Sequence, residues 1–201
     1  MSRTKAEQAE ATRRRLVRVA RRLFGRRGFN AVSAEEVVAA AGLTRGALYH
    51  HFGGKEGLFR AVVGEVMGEV KVRVAQASVH AGSPLAAVEA GVSEFLAVCA
   101  EPATQRVLLV DGPAVLGWHD WRGMDLDFGL GLLRSGLEAA MAARQIAVPD
   151  AEIATHLLAG ALVDGAMLIG RSPGDSTIRG DVEATLLELL RGLATAKSPG
   201  S

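Results

Sequence analysis

Apolar residues recur with helical spacing along most of the chain, and alternating segments typical of β-strands are hard to find. From Thr12 to Arg27, apolar side chains return every three or four residues, which is the spacing of one face of an amphipathic helix. That face consists of Leu16, Val19, Ala20, Leu23 and Phe24. Gly28 follows at a position typical of a residue that ends a helix. The pattern therefore predicts a first helix that ends at this glycine.

Capping residues predict two short helices after the first. Ser33 can cap a helix over about Ala34 to Ala41, and Glu36, three residues later, can complete a capping box. Residues 40–43, Ala-Ala-Gly-Leu, supply the small residues and the glycine that a tight turn between helices requires. Thr44 is a favourable N-cap, so a third helix is expected to begin there. The order and lengths of these helices predict a helix-turn-helix.

Helical periodicity continues through the remainder of the chain. It predicts helices near 55–80, 84–99, 103–111, 118–145, 150–170 and 177–195. Loops are indicated by Gly82-Ser83-Pro84, Val148-Pro149-Asp150 and the Ser-Pro-Gly-Asp sequence at 172–175. The expected fold is all-α, with an N-terminal helix-turn-helix domain at residues 1–54 and a helical C-terminal domain at residues 55–201.

Charge is distributed unevenly between the two parts of the chain. Residues 1–60 contain thirteen Lys and Arg against five Asp and Glu, a net charge of +8, whereas residues 61–201 contain ten against seventeen, a net charge of −7. The arginines Arg14, Arg18 and Arg21 lie opposite the apolar face of the first helix, without acidic residues to match them on that side. This asymmetry indicates a polyanionic partner for the N-terminal part.

The start of the third helix has the composition of a DNA-reading helix. In a helix-turn-helix the second helix of the pair presents its N-terminal residues to base edges in the major groove. Here those residues are Thr44, Arg45, Gly46 and Ala47. Two small residues allow close approach to the groove, and Arg45 has the donors to pair with guanine O6 and N7. Tyr49 and His50, later on the same helix, and Lys55, at the start of the next, are expected to contact phosphates.

The sequence from about Thr12 to Phe59 resembles the DNA-binding domain of the TetR family of transcriptional regulators. The matching text is TRRRLVRVARRLFGRRGF followed by VSAEEVVAAAGLTRGALYHHFGGKEGLF. The resemblance implies an all-helical symmetric dimer whose C-terminal domain binds a small molecule and weakens DNA binding when occupied. It also implies the following DNA contacts: Ser33, where threonine is commonest in the family, and Thr44, Arg45, Gly46, Ala47, Tyr49, His50 and Lys55.

A homodimer interface is predicted in the last two helices, at about 150–170 and 177–195. The first of these helices carries small residues that would let a partner helix approach: Ala159, Gly160, Ala161, Gly165 and Ala166. The second carries the apolar residues Val182, Leu186, Leu189, Leu190 and Leu193. Together they could form the four-helix arrangement that the resemblance implies. Packing inside one chain is the alternative interpretation.

A pocket for a small-molecule effector is expected in the C-terminal part, although the sequence does not specify the effector. Aromatic side chains make up only 4% of the chain, so those outside the DNA-binding part stand out. The predicted pocket residues are Phe95, Cys99, Trp118, Trp121, Phe128 and Met167, with Asp111, His119, Arg122 or Asp164 as polar groups that orient the ligand. For each of these residues, ordinary core packing is the alternative.

The expected function is that of a ligand-responsive transcriptional repressor that binds a palindromic operator in double-stranded DNA. A ligand-dependent activator is the alternative, and a non-specific DNA-binding protein would leave the Thr-Arg-Gly-Ala sequence and the long acidic part unexplained. The nucleophile, phosphate-loop and zinc-protease motifs of common enzymes are absent from the sequence. We therefore expect no catalysis and no cofactor.

No metal site and no membrane span are predicted. The single cysteine, Cys99, cannot form an intramolecular disulfide or a multi-thiolate metal site, and adjacent helical residues such as His50 and His51 point too far apart to chelate one ion. The apolar run from Ile153 to Gly170 is interrupted by a histidine and an aspartate and is expected to be a packed helix. The N-terminus lacks the apolar core of a secretory signal, so a cytoplasmic location is expected.

Overall fold

The computed structural model describes residues 4–125, 130–172 and 176–194, and these residues confirm the predicted all-α class. Its helices are α1 (Lys5–Arg27), α2 (Ala34–Ala41), α3 (Arg45–Phe52), α4 (Lys55–Ser78), α5 (Pro84–Cys99), α6 (Pro102–Gln105), α7 (Gly112–Leu116), α8 (Trp118–Asp125), α9 (Gly131–Ala142), α10 (Ala151–Arg171) and α11 (Ser176–Arg191). A π-helical turn, Arg106–Asp111, connects α6 to α7.

The predicted caps of the first three helices are confirmed. Ser33 and Glu36 form a complete capping box on α2, and the Thr44 side chain accepts a hydrogen bond at the start of α3. Gly28 follows α1 with a φ of 81°, a backbone conformation that favours glycine. The predicted start of α1 is too late: a capping box of Thr4 and Glu7 begins the helix at Lys5.

Two predicted C-terminal helices have different limits in the structure. The helix predicted at 103–111 belongs to a longer run, Pro102 to Leu116, that includes the π-helical turn. Within the range predicted at 118–145 the structure describes α8, Trp118–Asp125, and α9, which ends at Ala142, before the predicted limit; residues 126–129 lie outside the described residues.

The chain divides into two compact units. Unit 1 contains the residues up to Val66 together with Pro102–Arg122, and unit 2 contains Met67–Glu101 together with the residues from Gly123 onwards. Helix α4 therefore contributes residues to both units. By its packing, the segment that contains α6, the π-helical turn, α7 and the start of α8 belongs to the same unit as the helix-turn-helix. The functional division at residue 54, between domains 1–54 and 55–201, stays a prediction.

Three phenylalanine rings pack together in unit 1. Phe24 of α1, Phe29 of the following turn and Phe59 of α4 contact one another, with ring centroids 5.0 to 5.6 Å apart. Gly25 lies against Ala103, whose Cβ would be 3.0 Å from a Cβ added to the glycine. The first helix is thus packed on one side against α4 and on another against the 102–122 segment.

Helices α5, α9, α10 and α11 form the core of unit 2, and this core takes up five of the ten residues predicted for the dimer interface. Ala159, Ala166, Leu186 and Leu190 are buried within the chain. Gly165 is buried against α11, where a Cβ would come within 2.8 Å of Val182 Cγ1. These five residues bring α10 and α11 of one chain together, which favours the alternative interpretation, packing inside one chain, for this part of the predicted set. A Cβ on Gly160, by contrast, would meet nothing within 4 Å.

Four large apolar residues on α10 and α11 are exposed, and one of them, Leu189, belongs to the predicted interface. The residues are Ile153, Leu157, Leu168 and Leu189, and between 49% and 70% of each is accessible to solvent. By length and composition α10, with a mean hydropathy of 1.6, would pass for a membrane-spanning helix. Its opposite face is buried in unit 2, as in the core helix of a bundle.

Replacing Gly165 by alanine should destabilise the protein, because the added Cβ would overlap Val182 and approach Leu186 Cδ1 to 3.3 Å. Overpacking of this kind costs about 1–3 kcal/mol of unfolding free energy. Gly68→Ala is the matched control: Gly68 also lies inside a helix, and a Cβ there has nothing within 4 Å. The control should be neutral or stabilising by up to about 1 kcal/mol. Urea denaturation of both variants measures this, and equal effects would contradict the packing described for α10 and α11.

Candidate nucleic-acid interface

The N-cap Thr44 and the exposed face of α3 form a surface that contains most of the predicted DNA contacts. The Thr44 hydroxyl accepts a hydrogen bond from the Ala47 N–H at 3.3 Å and so fixes the start of the helix. Leu48 is fully buried and anchors α3 to unit 1. The exposed residues of this surface are Thr44, Arg45, Gly46, Tyr49 and His50, and Ala47 is half-buried beside them. The structure therefore brings the predicted base-reading residues together on one accessible face.

Arg45 is held by two neighbouring side chains. Its Nη1 lies 3.0 Å from Glu35 Oε1, and its Nη2 donates to the Tyr49 hydroxyl at 3.3 Å. The guanidinium carbon is 5.3 Å from the centre of the Tyr49 ring, within the range of a cation–π contact. Interactions with Tyr49, and then the charge of Glu35, raise the pKa of Arg45, which therefore stays charged. Glu35 is not among the residues that the sequence predicts for this surface.

Ser33 fixes the start of α2. Its hydroxyl accepts from the Glu36 N–H at 3.1 Å, and Glu36 accepts from the Ser33 N–H at 2.9 Å. The pKa of Glu36 is lowered, first by the Ser33 N–H and then by the hydrogen bond from Arg27. Because this pKa is lowered, the stability that the Glu36 carboxylate contributes is fully present above the ordinary carboxyl pKa of 4.5. That stability is lost as the pH falls through the lowered pKa.

The turn between α1 and α2 is held by side chains from two other parts of unit 1. The Phe29 N–H donates to Asp111 Oδ2 at 2.8 Å. Lys55 Nζ donates to the carbonyl oxygens of Phe29 and Val32, each at 2.9 Å, and lies 3.9 Å from the centre of the Phe29 ring. An ammonium group has three N–H donors, so Lys55, predicted as a phosphate contact, has at most one left for DNA.

Gly57 sets the distance between α3 and α4. A Cβ at this position would lie 1.9 Å from the backbone oxygen of Phe52, which no real side chain could occupy. The sequence analysis did not single out this glycine. The available signal was a glycine in the first turn of a helix, where it is costly unless close packing requires it.

Part of the positive charge of unit 1 is paired internally. Arg14 lies 3.9 Å from Glu10, Arg21 lies 3.3 Å from Glu65, and Arg60 lies 2.7 Å from Asp120. The expectation that the arginines of the first helix lack matching acids is therefore wrong for Arg14 and Arg21. The acids come from one turn earlier in α1 and from α4.

The predicted effector residues are distributed over both units. Trp118 is 59% exposed and Trp121 is buried, with ring centroids 5.3 Å apart in unit 1. In unit 2, Cys99 is buried, whereas Phe95 and Met167 are half-buried. Phe128 lies outside the described residues. The small apolar cavity among α5, α9, α10 and α11 has room for about 10 Å³, no more than a water molecule needs, and none of these six residues lines it.

Two of the residues predicted to orient a ligand, Asp111 and Asp164, do not line the small cavity. Asp111 is bonded to Phe29, and Asp164 is exposed on α10. The buried indole N–H of Trp121 has no hydrogen-bond partner among the described residues. It lies close to Gly112, where a Cβ would come within 2.8 Å of Trp121 Nε1. Within residues 4–125, 130–172 and 176–194, no three His, Cys, Asp or Glu side chains are grouped as metal ligands.

Two family models match the chain. Residues 16–62 match the model of bacterial regulatory proteins of the tetR family, and residues 85–193 match a tetracyclin repressor-like C-terminal domain. A crystal structure of a TetR-family transcriptional regulator from Pectobacterium atrosepticum is similar over 98% of this chain and 100% of that one, with a TM-score of 0.84 and 31% sequence identity.

Curated relatives are regulators as well. The HTH-type transcriptional repressor BepR of Brucella suis biovar 1 is 33% identical over 109 residues, which are 54% of this chain and 52% of BepR, so the match spans about half of that relative. The A-factor receptor protein of Streptomyces griseus is 26% identical over 194 residues, 94% of this chain and 67% of that relative. The first of these relatives is named a repressor and the second a receptor, and the family consists of transcriptional regulators and not enzymes.

Removing the Asp111 carboxylate should destabilise the protein, because it leaves the partly buried Phe29 N–H without its acceptor. A hydrogen bond to a charged group contributes about 1.5–3 kcal/mol, so Asp111→Ala should lower the free energy of unfolding by about that amount. Asp111→Asn keeps an acceptor oxygen and should recover part of the loss.

Asp120→Ala serves as the matched control for this experiment, since it removes an aspartate of unit 1 whose partner, Arg60, is exposed. Exposed ion pairs contribute about 1 kcal/mol or less. Urea denaturation compares the three variants with the unchanged protein. If Asp111→Ala and Asp120→Ala had the same small effect, Asp111 would not be holding the α1–α2 turn.

Proposed function

The chain belongs to the TetR family of DNA-binding transcriptional regulators, and on this premise we propose that it is a repressor that binds a palindromic operator as a homodimer and releases it when a small molecule binds. The observation that carries this proposal is the exposed N-terminal face of α3, where Thr44, Arg45 and Gly46 project from a helix anchored by buried Leu48. The relative BepR is named a repressor, which favours repression over activation.

DNA recognition is proposed to divide between base and phosphate contacts. Arg45 has the geometry to donate to guanine O6 and N7, while Gly46 and the Ala47 methyl allow the helix to approach the groove floor. Ser33, Thr44, Tyr49 and His50 offer hydroxyl, phenol and imidazole groups for phosphate oxygens, and Lys55 offers its remaining N–H. Ser33, Thr44 and Lys55 lie at the N-termini of α2, α3 and α4, where free backbone N–H groups also favour phosphate.

We propose that the homodimer forms through the exposed apolar residues of α10 and α11. Ile153, Leu157 and Leu168 follow one face of α10, and Leu189 is exposed on α11. Gly160 lies between them in sequence with open space around its Cα, as close approach of a second helix would require. A two-fold axis through such an interface pairs two helix-turn-helix domains. Their α3 helices would then enter successive major grooves about 34–36 Å apart.

We propose a small-molecule effector on two grounds, the name of one relative and a buried N–H group without an acceptor. One relative that aligns with 94% of the chain is named a receptor. The candidate contacts remain Phe95, Cys99, Trp118, Trp121, Phe128 and Met167, of which Trp121 has an indole N–H that a ligand acceptor could satisfy. Binding would shift the protein away from its DNA-binding form only by the difference in ligand affinity between the two forms. A regulator of this kind works where DNA is, so we propose a cytoplasmic location.

Selection of bound duplexes from a random DNA pool tests DNA recognition directly. At moderate salt the purified protein should enrich one inverted repeat, because two identical helix-turn-helix domains related by a two-fold axis read two equivalent half-sites. Arg45→Ala should lose roughly tenfold or more in affinity for that operator and relax the preference at one position of each half-site. Bound DNA that stays random in sequence would exclude a sequence-reading regulator.

Placing a charge on the proposed dimer interface should separate the subunits. Leu157 is 70% exposed in the chain, so Leu157→Glu should leave its fold intact while burying an unpaired carboxylate in any dimer formed through α10. Light scattering after size exclusion should then report a monomer. Val79→Glu, at a residue that is 71% exposed just beyond α4, is the control and should stay dimeric. A dimer that survives Leu157→Glu would place the interface elsewhere.

A further inference from the structure

We propose that Glu35 is a specificity-determining residue, which directs the Arg45 guanidinium to a base edge and keeps it from neutralising a phosphate. The proposal deepens the proposed function and rests on it, since it assumes that α3 lies in the major groove. It concerns a residue of α2 that contributes no predicted DNA contact of its own.

The geometry of the first turns of α2 and α3 brings the two residues together. Glu35 Oε1 is 3.0 Å from Arg45 Nη1, and Tyr49 accepts from Nη2 at 3.3 Å. The guanidinium is therefore bracketed by a carboxylate from another helix and a phenol from the next turn of its own helix. The side chains of Arg45 and Glu35 are 63% and 60% exposed, so DNA that meets α3 meets this pair.

A phosphate and a guanine make different demands on the pair. A phosphate attracts Arg45 through its charge, and the gain comes from releasing a counterion that the arginine replaces. Glu35 already balances that charge and repels the phosphate, so the contact requires the ion pair to separate. Guanine O6 and N7 are neutral acceptors that need only two N–H groups, and a guanidinium has five. Arg45 can therefore donate to guanine while it stays paired with Glu35.

Glu35 can be changed without dismantling the helix it belongs to. The capping box of α2 uses Ser33 and Glu36, and Glu36 is also the partner of Arg27 at 2.7 Å. Glu35 lies in the same first turn, but among the described residues it forms its ion pair with Arg45. Glu35→Gln keeps the shape of the side chain and removes its charge, so the remaining structure should be preserved.

Binding of Glu35→Gln to a random-sequence duplex, measured over a range of salt concentrations, tests the proposal. Arg45 becomes free to neutralise a phosphate, so affinity for this duplex should rise roughly two- to fivefold, the range expected for an exposed ion pair. The slope of the logarithm of affinity against the logarithm of salt concentration should steepen by about one unit for each subunit. Affinity for the selected operator should not rise, so the ratio of operator to random affinity should fall.

Two control variants separate this effect from a change in net charge. Glu10→Gln removes the same charge from the 3.9 Å pair of Glu10 and Arg14 on α1 and should leave the ratio and the slope unchanged. In an Arg45→Ala background, Glu35→Gln should have no effect on random-duplex affinity, because the residue through which it acts is gone. Circular dichroism melts check that each variant is folded.

Three results would each overturn the role of Glu35. They are an unchanged random-duplex affinity in Glu35→Gln, an equal rise in Glu10→Gln, and a rise that persists in the Arg45→Ala background. Whether the unchanged protein prefers an operator at all is measured separately and tests the proposed function. The random-duplex series gives its result in either case, so failure of the role of Glu35 can be distinguished from failure of the proposed function.

Discussion

The position of the helix-turn-helix, α2 and α3, depends on the contacts that hold the turn between α1 and α2 at Phe29. The ring of Phe29 packs against Phe24 and Phe59, its N–H donates to Asp111, and its carbonyl accepts from Lys55. Both hydrogen bonds involve a charged side chain and are therefore stronger than neutral ones. Because α2 and α3 follow directly, the direction in which the chain leaves this turn determines where the recognition helix lies relative to α1. The contacts of Arg45 with Glu35 and Tyr49 become possible only once that placement is fixed.

The sequence predicted those parts of the structure whose determinants lie within a few residues of one another. Ser33 with Glu36, Thr44, and Gly28 act within one helical turn, and the helix ends they predict are the ones found. The bond between Phe29 and Asp111 joins residues 82 positions apart, and no local pattern indicates it. Glu35 and Arg45 belong to different helices, so their contact depends on the angle between α2 and α3. Gly57 had a local signal, an unfavourable residue at a helix start, but its partner Phe52 became evident only in three dimensions.

The C-terminal part shows why an apolar pattern does not distinguish between packing inside a chain and packing between chains. Small residues permit close helix approach whichever helix approaches, so the sequence of α10 is compatible with both arrangements. Burial separates them: Gly165 and Ala166 face α11 and the core of unit 2, while Leu157 and Leu168 face solvent. The same reasoning applies to the tryptophans, since Trp121 is a core residue of unit 1 by its burial and Trp118 beside it is exposed. Aromatic scarcity drew attention to both without distinguishing their roles.

The membership of residues 102–122 in unit 1 has an evolutionary consequence. These residues fall within the region, 85–193, that matches the C-terminal family model, yet they pack with the helix-turn-helix. Gly25 against Ala103, and Phe29 bonded to Asp111, are pairs in which each member lies in a different family model. Recombination that joined this N-terminal region to the C-terminal region of another regulator would therefore bring together halves of a core that had not evolved as one. Descendants of such an exchange would have to acquire compensating substitutions at these paired positions. The two regions are therefore coupled in evolution and cannot be exchanged freely between regulators.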